Sequence, residues 1–171
     1  PQIKGEIKAP EKAPGTIMSW LVSNSFEAQD LDNKYQFATE EEQDKFSWTQ
    51  LLTDSSGMAN LAKVQGIEDG KNTVFARAKI ISNSDTIKPL KFGFSDEVKV
   101  YLNGQLLYGG NNVFQSRDYR FLGTVGLFDE LYLPLKKGEN ELWMAVSEGD
   151  LWDGWGLIAQ IDDPQGVSFG E

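Results

Sequence analysis

"EVKVYLNGQLLY", residues 97–108, is the stretch on which the reading of the fold turns. Val98, Val100 and Leu102 recur at every second position, the period at which successive side chains leave opposite faces of a strand. The run stops at Asn103-Gly104. A two-residue type I′ turn needs positive φ at both central positions, which Asn and Gly adopt with least strain, so the dipeptide predicts a tight antiparallel hairpin.

Working outward from the hairpin, "NTVFARAKIIS" (72–82) sets Val74, Ala76, Ala78 and Ile80 on one face and Phe75, Arg77, Lys79 and Ile81 on the other, with one face expected in the core. "LKFGF" (90–94) repeats the pattern through Leu90, Phe92 and Phe94. "ELYLPL" (130–135) and "NELWMAVS" (140–147) are joined by "KKGE", where Gly138 serves the turn, and in the second Leu142, Met144 and Val146 alternate with Trp143 and Ala145. "WGLIAQI" (155–161) closes the series, and "TIMSWLVSNSF" (16–26) opens it. These segments predict about eight antiparallel strands with no long amphipathic helix, an all-β sandwich of jelly-roll type. "TEEEQDKFSWTQLLT" (39–53) reads as a polar segment, short helical or irregular, and its Glu40, Glu41 and Glu42 as a solvated face without a role.

The 171 residues, 40% hydrophobic, suffice for one sizeable core. Residues 1–15, "PQIKGEIKAPEKAPG", carry Pro1, Pro10 and Pro14 among alternating Lys and Glu and read as a linker, with a single domain over 16–171. The linker points to a chain cut from a longer polypeptide. No apolar run approaches the roughly 18 to 20 residues of a membrane span, and the first thirty residues lack the order of a signal peptide. The absence of cysteine removes disulfides and thiolate chemistry but leaves localisation open, with an extracellular or periplasmic place favoured.

The formal charge of −10, with the 16 basic residues scattered, argues against nucleic acid as a partner. There is no histidine either, which removes the usual base near neutral pH and the usual metal ligand. Carboxylate-pair glycosidase chemistry survives that filter. Adjacent Asp96 and Glu97 make a poor pair, because neighbours on a strand point to opposite faces. The expectation is therefore that the chain is not an enzyme.

The succession "FGFSDEVKVYLNG", "SRDYRFLG", "LYLPLKKGENELWMAVSE" and "GWG" resembles the galactose-binding-domain-like jelly rolls that serve as accessory modules in bacterial sugar-active proteins. It is also similar to the sugar-binding jelly roll of β-galactosidase-type glycoside hydrolases, in which a strand-Asn-Gly-strand hairpin precedes a Leu-x-x-Gly-x-Asn turn, here 135–140. The opening "APGTIMSWLVSNSF" looks like the start of a carboxy-terminal module that follows a concanavalin-like domain. The resemblance implies a ligand in loops at one end of the sandwich and a structural calcium, although no clear calcium pattern is present and no cofactor is required.

A sugar ring offers an apolar face and a rim of hydroxyls, so it calls for an aromatic platform flanked by amide, carboxylate or guanidinium groups. "LWDGWG" (151–156) offers Trp152 and Trp155 to stack and Asp153 to accept. "GGNNVFQSRDYR" (109–120) offers Asn111, Asn112, Gln115, Arg117 and Asp118 as a polar rim, provided that the two loops converge. Each has a structural alternative: Trp155 as a core ring between two glycines, and Arg117 with Asp118 as an internal clamp. The function expected is a non-catalytic carbohydrate-binding or accessory module of a larger bacterial protein. The alternative is a structural module packed on a neighbouring lectin-like domain, and a glycosidase comes third.

Overall fold

The computed structural model describes residues 14–64, 71–95, 97–111, 129–148 and 155–170. Its strands are β1 (Ser19–Ser23), β2 (Trp48–Leu52), β3 (Ala59–Asn60), β4 (Thr73–Ser82), β5 (Thr86–Ser95), β6 (Glu97–Leu102), β7 (Gln105–Asn111), β8 (Asp129–Leu135), β9 (Gly138–Ser147), β10 (Gly156–Ile161) and β11 (Val167–Phe169). The eight expected strands are β1 and β4 to β10, with β2, β3 and β11 as additions. The larger sheet runs β2-β1-β4-β9-β6-β7, with β11 also on β4, and the smaller runs β3-β10-β5-β8. All pairings are antiparallel. From β3 to β6 and from β7 to β11 the chain changes sheet at each step, which makes the all-β sandwich a jelly roll.

The core lies between the sheets. Val74, Ala76, Ala78 and Ile80 of β4, Val98, Val100 and Leu102 of β6, and Leu142, Met144 and Val146 of β9 face Leu90, Phe92 and Phe94 of β5, Leu133 and Leu135 of β8, and Leu157, Ala159 and Ile161 of β10. These are the inward positions that period-two alternation assigns.

The opposite face of the larger sheet is buried as well. Phe75, Tyr101, Trp143 and Ala145 form a second cluster with Phe26 and Leu31, against which Phe37, Phe46 and Trp48 pack. The covering residues all come from 24–48, the part of the chain that shows least periodicity. Rings of Phe37, Trp48 and Phe75 lie 5.0, 5.2 and 5.0 Å from Trp143 in tilted or edge-on geometry, the arrangement aromatic quadrupoles favour. Arg77 projects from β4 between Trp48 and Trp143, at 5.1 and 5.3 Å, and its guanidinium donates to Glu141 (2.8 Å) and Gln43 (2.6 Å).

Glu42 corrects the reading of the acidic run. It ends up buried in α1 (Thr39–Gln43), bonded to Lys34 at 2.6 Å and to Lys45 at 3.2 Å. Burial pushes its carboxyl up, but the hydrogen bonds and charges of the two lysines outweigh that and hold it below the ordinary carboxylate value. Glu40 and Glu41 remain at the surface as expected.

The two motifs that carried the resemblance touch each other. Asn103 and Gly104 have φ of 52° and 82°, the positive pair a type I′ turn demands. Asn103 accepts from the Glu141 amide (2.8 Å) and donates to Asn140 (3.0 Å), the last residue of the Leu-x-x-Gly-x-Asn turn. Asn140 is fully buried and donates to the Lys136 carbonyl (2.9 Å) while accepting from the Lys136 amide (3.0 Å). One side chain thus closes the β8–β9 turn and fastens it to the β6–β7 hairpin.

Two substitutions separate strain from collision. Gly104 and Gly138 both have positive φ, but a Cβ at Gly104 would collide with the Phe37 carbonyl oxygen, whereas at Gly138 it meets open space. Gly104→Ala is expected to cost about 2 to 3 kcal/mol and Gly138→Ala about 1 kcal/mol, measured by urea denaturation. Equal losses would contradict the packing of residues 35–37 on the hairpin.

Acid is expected to loosen the cover. A carboxylate whose folded pKa is depressed contributes stability that is complete above its unfolded value, here near 4.5, and is lost as the pH falls through the folded value. Melting temperatures followed from about pH 6 to about pH 3 should fall more steeply in the wild type than in Glu42→Gln, which starts lower and stays flatter.

Candidate functional site

Register brings the roots of the two sequence-predicted loops to one end of the larger sheet. Glu97, the first residue of β6, is paired with Asn111 at the end of β7 on one side and with Ser147 at the end of β9 on the other. The loops that follow Asn111 and Ser147 therefore leave from strands separated only by β6, roughly 10 Å apart at two strand spacings. Their convergence at the root follows from that pairing. Asn72 secures the second root, its side chain donating to the Glu148 carbonyl (2.8 Å) and its own carbonyl accepting from the Glu148 amide (2.9 Å).

At this end lies a cleft of about 420 Å³ on the outer face of the larger sheet. Its floor is formed by Glu97, Val98, Lys99, Gly109, Ala145 and Ser147, and its wall by the short 3₁₀ turn Ala28–Leu31 and Asp32. Lys99 spans floor and wall by donating to the Leu31 carbonyl at 3.3 Å. Ser147 shares a hydrogen bond of 2.7 Å with Thr73, which fixes the edge of the floor. Gly109, on the edge strand β7, lies opposite Lys99, and a Cβ there would meet no atom of the described residues within 4 Å, so that side of the floor is open. Gln29 and Asp32 stand exposed on the wall.

Chemically, the cleft offers an ammonium, two carboxylates and a primary amide around a bare patch of backbone. Such a set forms several hydrogen bonds with a polyhydroxylated neutral ligand.

Of the residues singled out in the sequence, Trp155 takes the structural one of its two alternatives. It is 3% exposed, belongs to the core between the sheets, and donates its indole N–H to the Val146 carbonyl at 3.1 Å. A ring buried on both faces cannot stack on a sugar, so Trp155 is the sandwich corner of the two alternatives, and the ligand role is withdrawn for it. Asn111 is the last residue of β7, at the root of its loop. Trp152, Asp153, Asn112, Gln115, Arg117 and Asp118 lie outside the described residues. Among the described residues no three Asp or Glu side chains gather closely enough to hold a metal ion.

Gln29, Asp32, Lys99 and Gly109 were not anticipated. Gly109-Gly110 inside a strand pattern was the available signal, since paired glycines in a strand mark a place where the backbone is left open to approach. Glu97 was weighed only against Asp96, and its outward placement on β6 is what brings it to the cleft.

No protein-family model matches the chain, and no curated protein does. Among solved structures it is similar to a family 35 carbohydrate-binding module from an environmental isolate, at 13% identity and a TM-score of 0.41, over 58% of this chain and 72% of that one. It is also similar to a β-glucosidase from Kluyveromyces marxianus in complex with glucose, at 18% identity and a TM-score of 0.41, over 53% of this chain and 11% of the enzyme. A Faecalibacterium prausnitzii β-glucuronidase is similar over 82% of this chain and 22% of its own length, at 14% identity and a TM-score of 0.41. At that level of likeness the fold is assigned from this chain's own strand order.

The division between core and cleft has a stability signature. Trp155→Ala should cost about 3 to 5 kcal/mol by removing a buried ring, whereas Gln29→Ala should stay within about 0.5 kcal/mol. Chemical denaturation of the two variants reads the difference, and a mild Trp155→Ala would contradict its place in the core.

Proposed function

We propose that the chain is a non-catalytic carbohydrate-binding or accessory module of a larger sugar-active protein, and that the cleft at the loop roots holds the glycan. The observation that supports this reading is the shared pairing of Glu97 with Asn111 and Ser147, which brings the roots of the amide- and aromatic-rich loops to the end of the sheet where Gly109 leaves the floor open. Gln29, Asp32, Glu97 and Lys99 supply hydrogen-bonding groups of both signs, suited to a ligand with many hydroxyls and little net charge. The work of such a module is to hold a glycan near an attached domain and raise its effective concentration there.

A glycosidase is the second reading, because two carboxylates, Asp32 and Glu97, line one cleft. Turnover of aryl glycosides that disappears in both Asp32→Asn and Glu97→Gln would establish it. The binding reading expects no turnover.

The test is calorimetric titration with a panel of mono- and oligosaccharides, with and without calcium, on the wild type, Gly109→Leu and Trp152→Ala. Leucine at 109 fits the strand and fills the floor. Saturable binding should weaken at least about tenfold, or ~1.4 kcal/mol, in Gly109→Leu while the melting temperature is kept. Binding to no sugar, or binding that Gly109→Leu leaves intact, would contradict the assignment of the cleft.

A further inference from the structure

Among the described residues, the outer face of the smaller sheet is exposed along β5 and β8, whereas most of that of the larger sheet lies under residues 24–48. Ile87 is 65% exposed and Tyr132 64%, far beyond what their residue types usually show. In the ladder between β5 and β8, Ile87 is opposite Pro134 and Pro89 is opposite Tyr132, so the four form a contiguous apolar patch two strands wide. Period-two alternation sets them on the face opposite Leu90, Phe92, Leu133 and Leu135, which fill the core.

Charges flank this patch in a checkerboard. At one end Lys91 of β5 is opposite Glu130 of β8. At the other end the ladder stops at Thr86 and Leu135, and the next residues of the two strands, Asp85 and Lys136, are both exposed just beyond it. Like charges are therefore diagonal to one another. Lys91 also comes within 3.7 Å of Asp162, whose carboxylate offsets part of the charge at that corner, and Asp85 accepts from the Lys137 amide at 2.8 Å.

Such a patch is its own complement. A two-fold axis in the plane of the patch and across the strands lays β8 on its copy, with Glu130 over Lys136 of the second copy and Lys91 over its Asp85. An axis along the strands instead lays β8 on β5 of the copy, with Glu130 over its Lys91 and Lys136 over its Asp85. Under either, opposite charges meet at all four corners and apolar side chains meet in the centre, the self-complementarity an isologous interface requires.

We propose that this face of the smaller sheet is a homodimer interface, its occupant a second copy of the same chain. It lies on the other sheet from the ligand cleft and does not depend on what the cleft binds. Four apolar side chains make a small interface, so the association is reversible and depends on concentration.

Sedimentation velocity of the full chain from micromolar to millimolar concentration tests the proposal, with circular dichroism melts confirming that each variant is folded. The wild type should show a monomer–dimer equilibrium, and Tyr132→Lys and Glu130→Lys should each weaken it at least tenfold. Adding Lys136→Glu to Glu130→Lys should restore the dimer if the axis crosses the strands, and adding Lys91→Glu should restore it if the axis runs along them. A wild type that stays monomeric throughout, a dimer that persists in either single variant, or failure of both second substitutions to restore it would overturn the proposal.

Discussion

Strand β9 is buried on both faces, and the rest of the architecture hangs on that constraint. Leu142, Met144 and Val146 enter the core between the sheets, while Trp143 and Ala145 enter the aromatic cluster beneath residues 24–48. A shift of one residue in its pairing with β4 or β6 would exchange the two sets and place Trp143 where Met144 fits. Register is thereby specified from both sides. Asn140 at the start of the strand ties the neighbouring turn and hairpin, and Ser147 at its end fixes where the second loop departs.

Much of this was legible in the sequence, and the failures have a common cause. Alternation identified β4, β5, β6, β9 and β10 because each has one face in the main core, and Asn103-Gly104 announced its turn, and with it β7, by backbone chemistry alone. Alternation also implied that Phe75, Trp143 and Tyr101 face outward, which is correct, but outward here means under a second layer. The layer itself has no period to read. Phe26, Leu31, Phe37, Phe46 and Trp48 are irregularly spaced, and they are held by contacts that are remote in sequence, among them Tyr101 to the Lys34 carbonyl at 2.8 Å and Leu106 to the Tyr35 carbonyl at 2.8 Å. Glu42 shows the same limit. Nothing in "TEEEQ" tells which of three glutamates will be buried against two lysines.

The candidate site divides along the same line. Composition pointed to two loops rich in amides and aromatics, and the pairing of Glu97 with Asn111 and Ser147 brings the roots of both to one end of the larger sheet. The residues of the cleft come from 28–32, β6, β7 and β9, stretches far apart in the chain that the fold brings together. Trp155 was named for a platform because it lies three residues from Trp152. The chain re-enters the core at that point, and the indole is spent on Val146.

The proposed division of labour is a doubly buried sheet that presents an open floor at one end, with an exposed patch on the second sheet left for association. Its central claim, that the floor holds a glycan, is tested most directly by amide chemical-shift mapping of the ¹⁵N-labelled chain during titration with an oligosaccharide. The account predicts saturable shifts at Lys99, Gly109 and Ala145 on the floor, with Phe92 and Ala159 in the smaller sheet unmoved. Saturable shifts confined to the smaller sheet, or none with any sugar, would contradict it.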